Sequence, residues 1–470
     1  MTGVRLPCDE AFVRTAAERQ QCSEAIGRAV LAAAILGSTM TFVDGTVVNV
    51  ALPVLREKLR ASPAEAQWVV EAYMLFLASL ILVGGALGDR WGRRFMFVLG
   101  TVTFALASAW CGMARNVTQL IIARGAQGIG AALLVPGSLA LISANFSKEN
   151  RGRAIGTWAA FTSIAAGIGP ILGGWLVQSV SWRWIFFLNV PLAALVITIV
   201  WWRVPESRGE SAAGRIDWIG TTLVTASLFG LVFGLIEGER RSFADAQVRS
   251  SLVLGTLALI AFALVEWRVR HPMMPPTLFR SRAFTGANLL TLFLYCALGA
   301  TTFVLPFTLI QRHGYSVVEA ATAQAPFVVI MAVLSPWSGR LADRYGPRLP
   351  LTVGPMIAAI GFALFSRVTD DGSYWSGVFP AVIVMSIGMA VTVAPLTTTV
   401  MTSVDERHAG LASGINNAVS RVAILLAVAV TGVVTGGSFQ AGLTRVAWLS
   451  TALALAGAAS AALLVRISDR

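Results

Sequence analysis

Fourteen apolar runs, each about 20 residues or longer and nearly free of charge, divide this chain of 470 residues. A hydrocarbon layer roughly 30 Å thick requires about 20 residues of a helix rising 1.5 Å per residue. The runs cover residues 29–53, 66–88, 94–114, 118–144, 152–179, 183–204, 216–237, 249–270, 283–311, 318–340, 349–368, 374–402, 409–436 and 443–466. They predict an all-α integral membrane protein with 14 transmembrane helices. Composition agrees, since 13% of residues are charged and the mean hydropathy is +0.72, whereas soluble domains carry about 25% charged residues.

The formal charge of +12 invites a nucleic-acid reading, but the basic residues are scattered through short loops and form no patch. Their sidedness carries the information. With the N-terminus inside, and residues at the ends of runs assigned to the adjoining loops, the inner loops and tails hold 23 Lys and Arg, the outer loops 11, and the interior of the membrane only Arg124 and Arg421. The positive-inside rule then places both termini in the cytoplasm. Residues 1–28 mix four arginines with four acids and lack an apolar core, so they read as a mobile cytoplasmic tail and not a secretory signal. Cys8, Cys22, Cys111 and Cys296 show neither metal-ligand spacing nor a disulfide framework.

The chain is duplicated. The segment VGGALGDRWGRRFMFVL (83–99) returns as SGRLADRYGPRL (338–349), so that Gly85, Asp89, Arg90, Gly92 and Arg94 are answered 254 residues later by Gly339, Asp343, Arg344, Gly346 and Arg348. Segment 135–154 likewise resembles 394–412. The predicted organisation is a tail (1–28), a six-helix half (29–204), a linker with two inserted helices (205–282), a second six-helix half (283–466) and a short cytoplasmic tail (467–470). Two parallel six-helix pseudo-repeats of this kind enclose a cavity near the membrane midplane and rock about it.

Ionisable groups within hydrocarbon cost at least a few kcal/mol, so the few that persist are functional candidates. Asp44 lies about nine residues before Pro53 at the outer end of the first run, roughly 13 Å deep by helical rise. Glu71 and Arg124 lie roughly 8 Å from the same surface, so all three can share one polar layer. If Arg124 approaches the acids in one conformation and retreats in another, their proton affinity alternates. The alternative is a static salt bridge that positions helices, and for Glu71 a wetted residue at the outer mouth. Arg421, roughly 18 Å deep with Asn417 one turn earlier, either lines the cavity or bonds a facing carbonyl or hydroxyl.

In the repeated loop, Asp89 is expected to accept from backbone amides at a helix N-terminus, with Gly92 permitting the sharp turn. Together with Arg90, Arg93 and Arg94 this reads as a cytoplasmic latch, or as an anchor for anionic lipid. Gly156, Ala165, Gly169, Pro170, Gly173 and Gly174 place small side chains along the fifth run with a proline inside it. Such a helix is bent and packs closely. Trp158, Phe161, Asn288, Tyr295, Asn416, Asn417 and Arg421 are the candidates for the substrate cavity.

These motifs resemble the major facilitator superfamily and, within it, the fourteen-helix drug:proton antiporters. The residues that carry the likeness are DGTVVNVALP (44–53), GGALGDRWGRR (84–94), LIIARGAQGIGAA (120–132), the spaced glycines from Gly156 to Gly174, and SWRWIFFLNVP (181–191). Ala165 departs from the family's second glycine, and Glu71 stands where many relatives are uncharged. The resemblance implies a role in proton coupling for Arg124, and export of hydrophobic or amphipathic compounds across the inner membrane, with multidrug or antibiotic resistance as the phenotype. The implied partners are the transported small molecule, protons and lipid. A periplasmic adaptor is not evident in the sequence. No cofactor is expected: neither Lys58 nor Lys148 follows a glycine as a phosphate loop demands, and His271, His313 and His408 form no catalytic or metal motif. A dedicated metabolite exporter and a nutrient:proton symporter remain as alternatives within transport.

Overall fold

The computed structural model describes residues 16–146, 148–208, 217–269, 272, 274–368, 373–404, 409–436 and 442–465, which contain helices and no strands. The first half comprises α1 (Ala16–Lys58), α2 (Pro63–Trp91), α3 (Arg93–Met113), α4 (Val117–Asn145), α5 (Lys148–Ser179), α6 (Trp184–Phe187) and α7 (Asn189–Arg203). The inserted pair is α8 (Trp218–Arg241) and α9 (Ala246–Arg268). The second half comprises α10 (Arg282–Phe307), α11 (Val317–Thr322), α12 (Ala325–Tyr345), α13 (Arg348–Leu364), α14 (Val378–Thr402), α15 (Ala409–Thr435) and α16 (Leu443–Leu464).

Among the described residues, thirteen helices are long and apolar enough to cross a membrane, against the fourteen expected. The run not represented in that count is α5, whose 32 residues suffice in length and part of whose side-chain placements lies outside the described residues. The expected tail also differs, because the chain is helical from Ala16 onward and runs unbroken into the first span. Residues 16–26 lack glycine and proline and are rich in Ala, Glu, Gln and Arg, all good helix formers. Residues 1–15, including Cys8, and the predicted tail 467–470 lie outside the described residues.

Glycine size sets how closely the helices approach. α4 packs between α2 and α3, and a methyl group at Gly128 or Gly130 would overlap the main chain of Tyr73 or Phe104. The second half repeats the device, with Gly361 of α13 against the backbone of Met385 and Gly388 of α14 against that of Ala358. α8 packs on both α2 and α15 and so spans the seam between the halves, where Trp68 meets Phe229 and Phe233 at ring distances of 6.0 and 6.4 Å. α9 packs on α8 and leaves Leu254, Leu257, Ile260 and Leu264 exposed, an apolar outer face suited to lipid.

Candidate functional site

In α1, the helical stretch around Asp44 carries Val47, Val48 and Val50 into the core, and the same packing carries the carboxylate inward. Asp44 is 2% exposed and Arg124 1%. Arg124 Nη1 donates to Asp44 Oδ2 at 2.5 Å and to Gln127 Oε1 at 2.8 Å, while its Nε donates to the Val69 carbonyl at 3.0 Å. Gln127 Nε2 and Asn189 Nδ2 donate to Asp44 Oδ1 at 2.8 and 3.3 Å, and Asn189 also donates to Ser108 Oγ at 2.9 Å. The guanidinium stacks 4.3 Å from the Tyr73 ring centroid. Helices α1, α2, α3, α4 and α7 therefore meet at one ion pair whose carboxylate and guanidinium are each tied by further hydrogen bonds, as a buried charge requires.

Sequence reasoning found Asp44 and Arg124 but missed Gln127, Asn189 and Ser108. Signals for two of them were present: Gln127 follows Arg124 by three positions on one helix face, and Asn189 lies within SWRWIFFLNVP. Ser108 carries no local signal, because only the packing of α3 on α7 brings it near.

Glu71 does not join this layer. It is completely buried, and neither carboxylate oxygen has a hydrogen-bond partner. Helical phase explains the separation: two residues along an α-helix are about 200° apart, so with Tyr73 turned to Arg124, Glu71 lies on the other side of α2. Gln67, one turn earlier on Glu71's own face, donates to the Val428 carbonyl of α15 at 3.1 Å. Glu71 thus occupies the α2 face that meets the second half, and the wetted-mouth alternative does not hold.

The cavity candidates divide into groups. Asn416 of α15 donates to Asn288 Oδ1 at 3.1 Å and Thr291 Oγ1 at 2.7 Å, tying α15 to α10. Trp158 donates from α5 to Ser38 of α1 at 2.9 Å, and Ser38 donates to Ser138 of α4. Arg421 reaches from the second half to the first and stacks 5.2 Å from the Phe42 ring centroid. The Asn417 carbonyl accepts from Ser420, and Phe161 is exposed without joining either group.

At the loop between α2 and α3, the observed geometry corrects one expectation. Asp89 still belongs to α2 and accepts from Arg93 Nε at 2.9 Å, one helical turn on, so it does not cap α3. The cap is Glu206, just beyond α7, whose two oxygens each accept at 3.0 Å from the backbone N–H groups of Arg94 and Phe95. Arg93 N donates to the Ser207 carbonyl and Arg94 Nη2 to that of Trp201, both at 2.9 Å. The exposed Arg90 takes no part in these bonds. Gly92 has φ 120°, and its repeat counterpart Gly346 has φ 77°, conformations that a side chain would strain. In the second loop Arg344 stacks on Tyr345 and Arg348 begins α13, while the side-chain placements at Gly339 and Asp343 lie outside the described residues. Glu206→Ala is expected to raise amide hydrogen exchange at Arg94 and Phe95 about five- to tenfold, the scale of a lost N-cap, and unchanged exchange there contradicts the capping role.

α5 lies against α1. A methyl group at Gly169 would come within 2.5 Å of Thr46 Oγ1 and 3.3 Å of the Val43 Cα, and one at Gly173 would meet Val47. Both glycines therefore pack on the turn of α1 that carries Asp44. Gly174 instead faces the second half, against the backbone of Val317 and Val318, while Gly156 near the other end of α5 has nothing within 4 Å of a Cβ position. Among the described residues, no group of three or more His, Cys, Asp or Glu could hold a metal.

The sequence model of the Major Facilitator Superfamily matches residues 34–428. The chain belongs to that superfamily. Membership makes it a multi-pass membrane transporter of small molecules and not an enzyme. This major facilitator is 33% identical to the methylenomycin A resistance protein of Bacillus subtilis (strain 168), over 88% of its own length and 89% of the relative's. It is 34% identical to the tetracenomycin C resistance and export protein of Streptomyces glaucescens, over 86% of its own length and 75% of that chain. Among solved structures, a peptide transporter in complex with sulfate superposes with TM-score 0.71 at 13% identity, covering 95% of this chain and 99% of the other, a likeness of fold alone.

Proposed function

We propose that this major facilitator exports hydrophobic or amphipathic small molecules, including antibiotics, in exchange for protons entering the cell. The observation that carries the reading is the buried Asp44–Arg124 pair held by Gln127 and Asn189. A carboxylate in a dry site either keeps its guanidinium partner or takes up a proton, so a helix movement that separates the two converts proton binding into a conformational change. Relatives named for resistance and export support the direction of transport. Glu71, sealed without a partner on the moving seam, is the second proton site of this scheme, because a bound proton removes the cost of burying its charge.

In this reading the protein lies in the cytoplasmic membrane with both termini inside, α5 is the fourteenth span, and the Gly92 loop with Glu206 forms the cytoplasmic latch. Contact between Gly174 and α11 at one end of α5, and open space beside Gly156 at the other, fit a state closed outward and open inward. The proton gradient alone drives the cycle, without nucleotide or other cofactor. One proton crossing about 150 mV releases roughly 3.5 kcal/mol, enough for a several-hundredfold gradient of a neutral compound. The test is reconstitution in liposomes with an imposed pH difference and a panel of amphipathic dyes and antibiotics. Substrate addition is expected to move protons opposite to the compound. Uphill transport that survives collapse of both pH difference and voltage, or protons moving with the compound, overturns the proposal.

A further inference from the structure

Two arginines lie within the apolar helices, and their surroundings are opposite in kind. Arg124 has a carboxylate, an amide oxygen and a backbone carbonyl to accept its hydrogen bonds. Arg421 has none of these: its Nε is sealed without an acceptor, and among the described residues it makes no ion pair. It sits twelve residues after Ala409 and fourteen before Thr435, in the middle of α15. The Phe42 ring covers its guanidinium from the first half. The static alternative, a bond to a facing carbonyl or hydroxyl, therefore finds no such bond in this structure.

Among the described residues, two carboxylates are buried in the apolar helices of the first half, and neither pairs with Arg421: Glu71 makes no hydrogen bond or ion pair. Asp44, two positions after Phe42, already accepts from Arg124, Gln127 and Asn189. An aromatic ring on the face of Arg421 leaves the edge of the guanidinium, where its planar fork of N–H donors lies, without a protein acceptor. That fork matches a carboxylate or another oxyanion in two parallel hydrogen bonds.

Building on the transport reading above, we infer that Arg421 receives an anionic group of the transported molecule. The cargo class is then an amphipathic organic acid: a carboxylate, sulfonate or phenolate attached to an apolar ring system. The charged group meets Arg421 at the seam between the halves, and Phe42 supplies aromatic surface beside it. The uncompensated cation disfavours cationic compounds at the same place.

The test uses fluorescein and rhodamine 123, which share a xanthene ring system and carry opposite charge, binding to the purified full-length protein in detergent at one fixed pH. Fluorescein is expected to bind more tightly than rhodamine 123. Arg421→Ala weakens fluorescein about 10- to 100-fold, the loss of a charge-assisted hydrogen bond, and leaves rhodamine 123 unchanged or tighter, while Arg421→Lys keeps most of the preference. Thermal melting establishes that each variant is folded. Preference for rhodamine 123 in the native protein, absence of fluorescein binding, equal loss of both dyes in folded variants, or the same selective loss in Glu71→Gln each overturns the assignment. Because binding is read without any gradient, failure of proton coupling leaves this result standing, and the reverse is equally true.

Discussion

Replacing Arg124 with alanine is expected to reduce uphill export about 100-fold or more, to the level of empty vesicles. Removing one member of a buried ion pair strands the other, an effect of about 3 to 5 kcal/mol, and here the stranded group is the carboxylate that the proposed scheme couples to protons. The melting temperature falls as well, since Val69 and Gln127 lose their donor. Asp44→Asn keeps the volume of the carboxylate but not its charge. An amide oxygen that accepts from Gln127 and Asn189 turns its NH2 toward the Arg124 guanidinium, so the melting temperature falls here too, and uphill export is lost because no proton is exchanged. Efflux from proteoliposomes at matched protein amounts, with melting measured in parallel, checks both. Native rates in either variant remove that residue from the coupling scheme.

A leucine at Gly169 is the second large effect. Any Cβ there meets Thr46 Oγ1 and the backbone of Val43, and the remaining leucine atoms force α5 away from the stretch of α1 that holds Asp44. Overpacking of this kind costs about 1 to 3 kcal/mol, and it acts on the spacing of the proton site. Export is expected to fall to background with a lowered melting temperature. Gly156→Ala provides the contrast: it belongs to the same spaced-glycine series but faces open space, and in a helix alanine is favoured over glycine by about 1 kcal/mol, so stability holds or rises and export is retained. Equal tolerance of both substitutions shows that α5 does not position the Asp44 layer.

Much of the architecture was legible because the bilayer imposes a length and a polarity on every span. The fourteen runs all coincide with helical segments, and the repeated loop identified the duplication before any coordinate. The break between α6 and α7 left no trace in hydropathy, because both pieces are apolar. At the site, Asp44 and Arg124 were readable as rare charges in hydrocarbon. Glu71 was readable as a rare charge too, but its separation from them is a matter of helical phase between Glu71 and Tyr73.

The latch shows the same division. Gly92 was identifiable from its type and spacing, whereas the capping acid was assigned to Asp89 because that residue is adjacent in sequence. Glu206 lies more than a hundred residues away and arrives only because α7 returns to the same end of the bundle as α3.

From the sequence alone came the membrane fold, its duplication and the two charges that form the ion pair, since hydration energy forbids stray polarity in lipid and leaves it visible as an exception. The tertiary structure decided which exceptions meet. It joined Asp44 to Arg124, placed Glu71 on the seam and left Arg421 without an acceptor, because contact between residues on different helices depends on rotation and packing that local sequence does not encode.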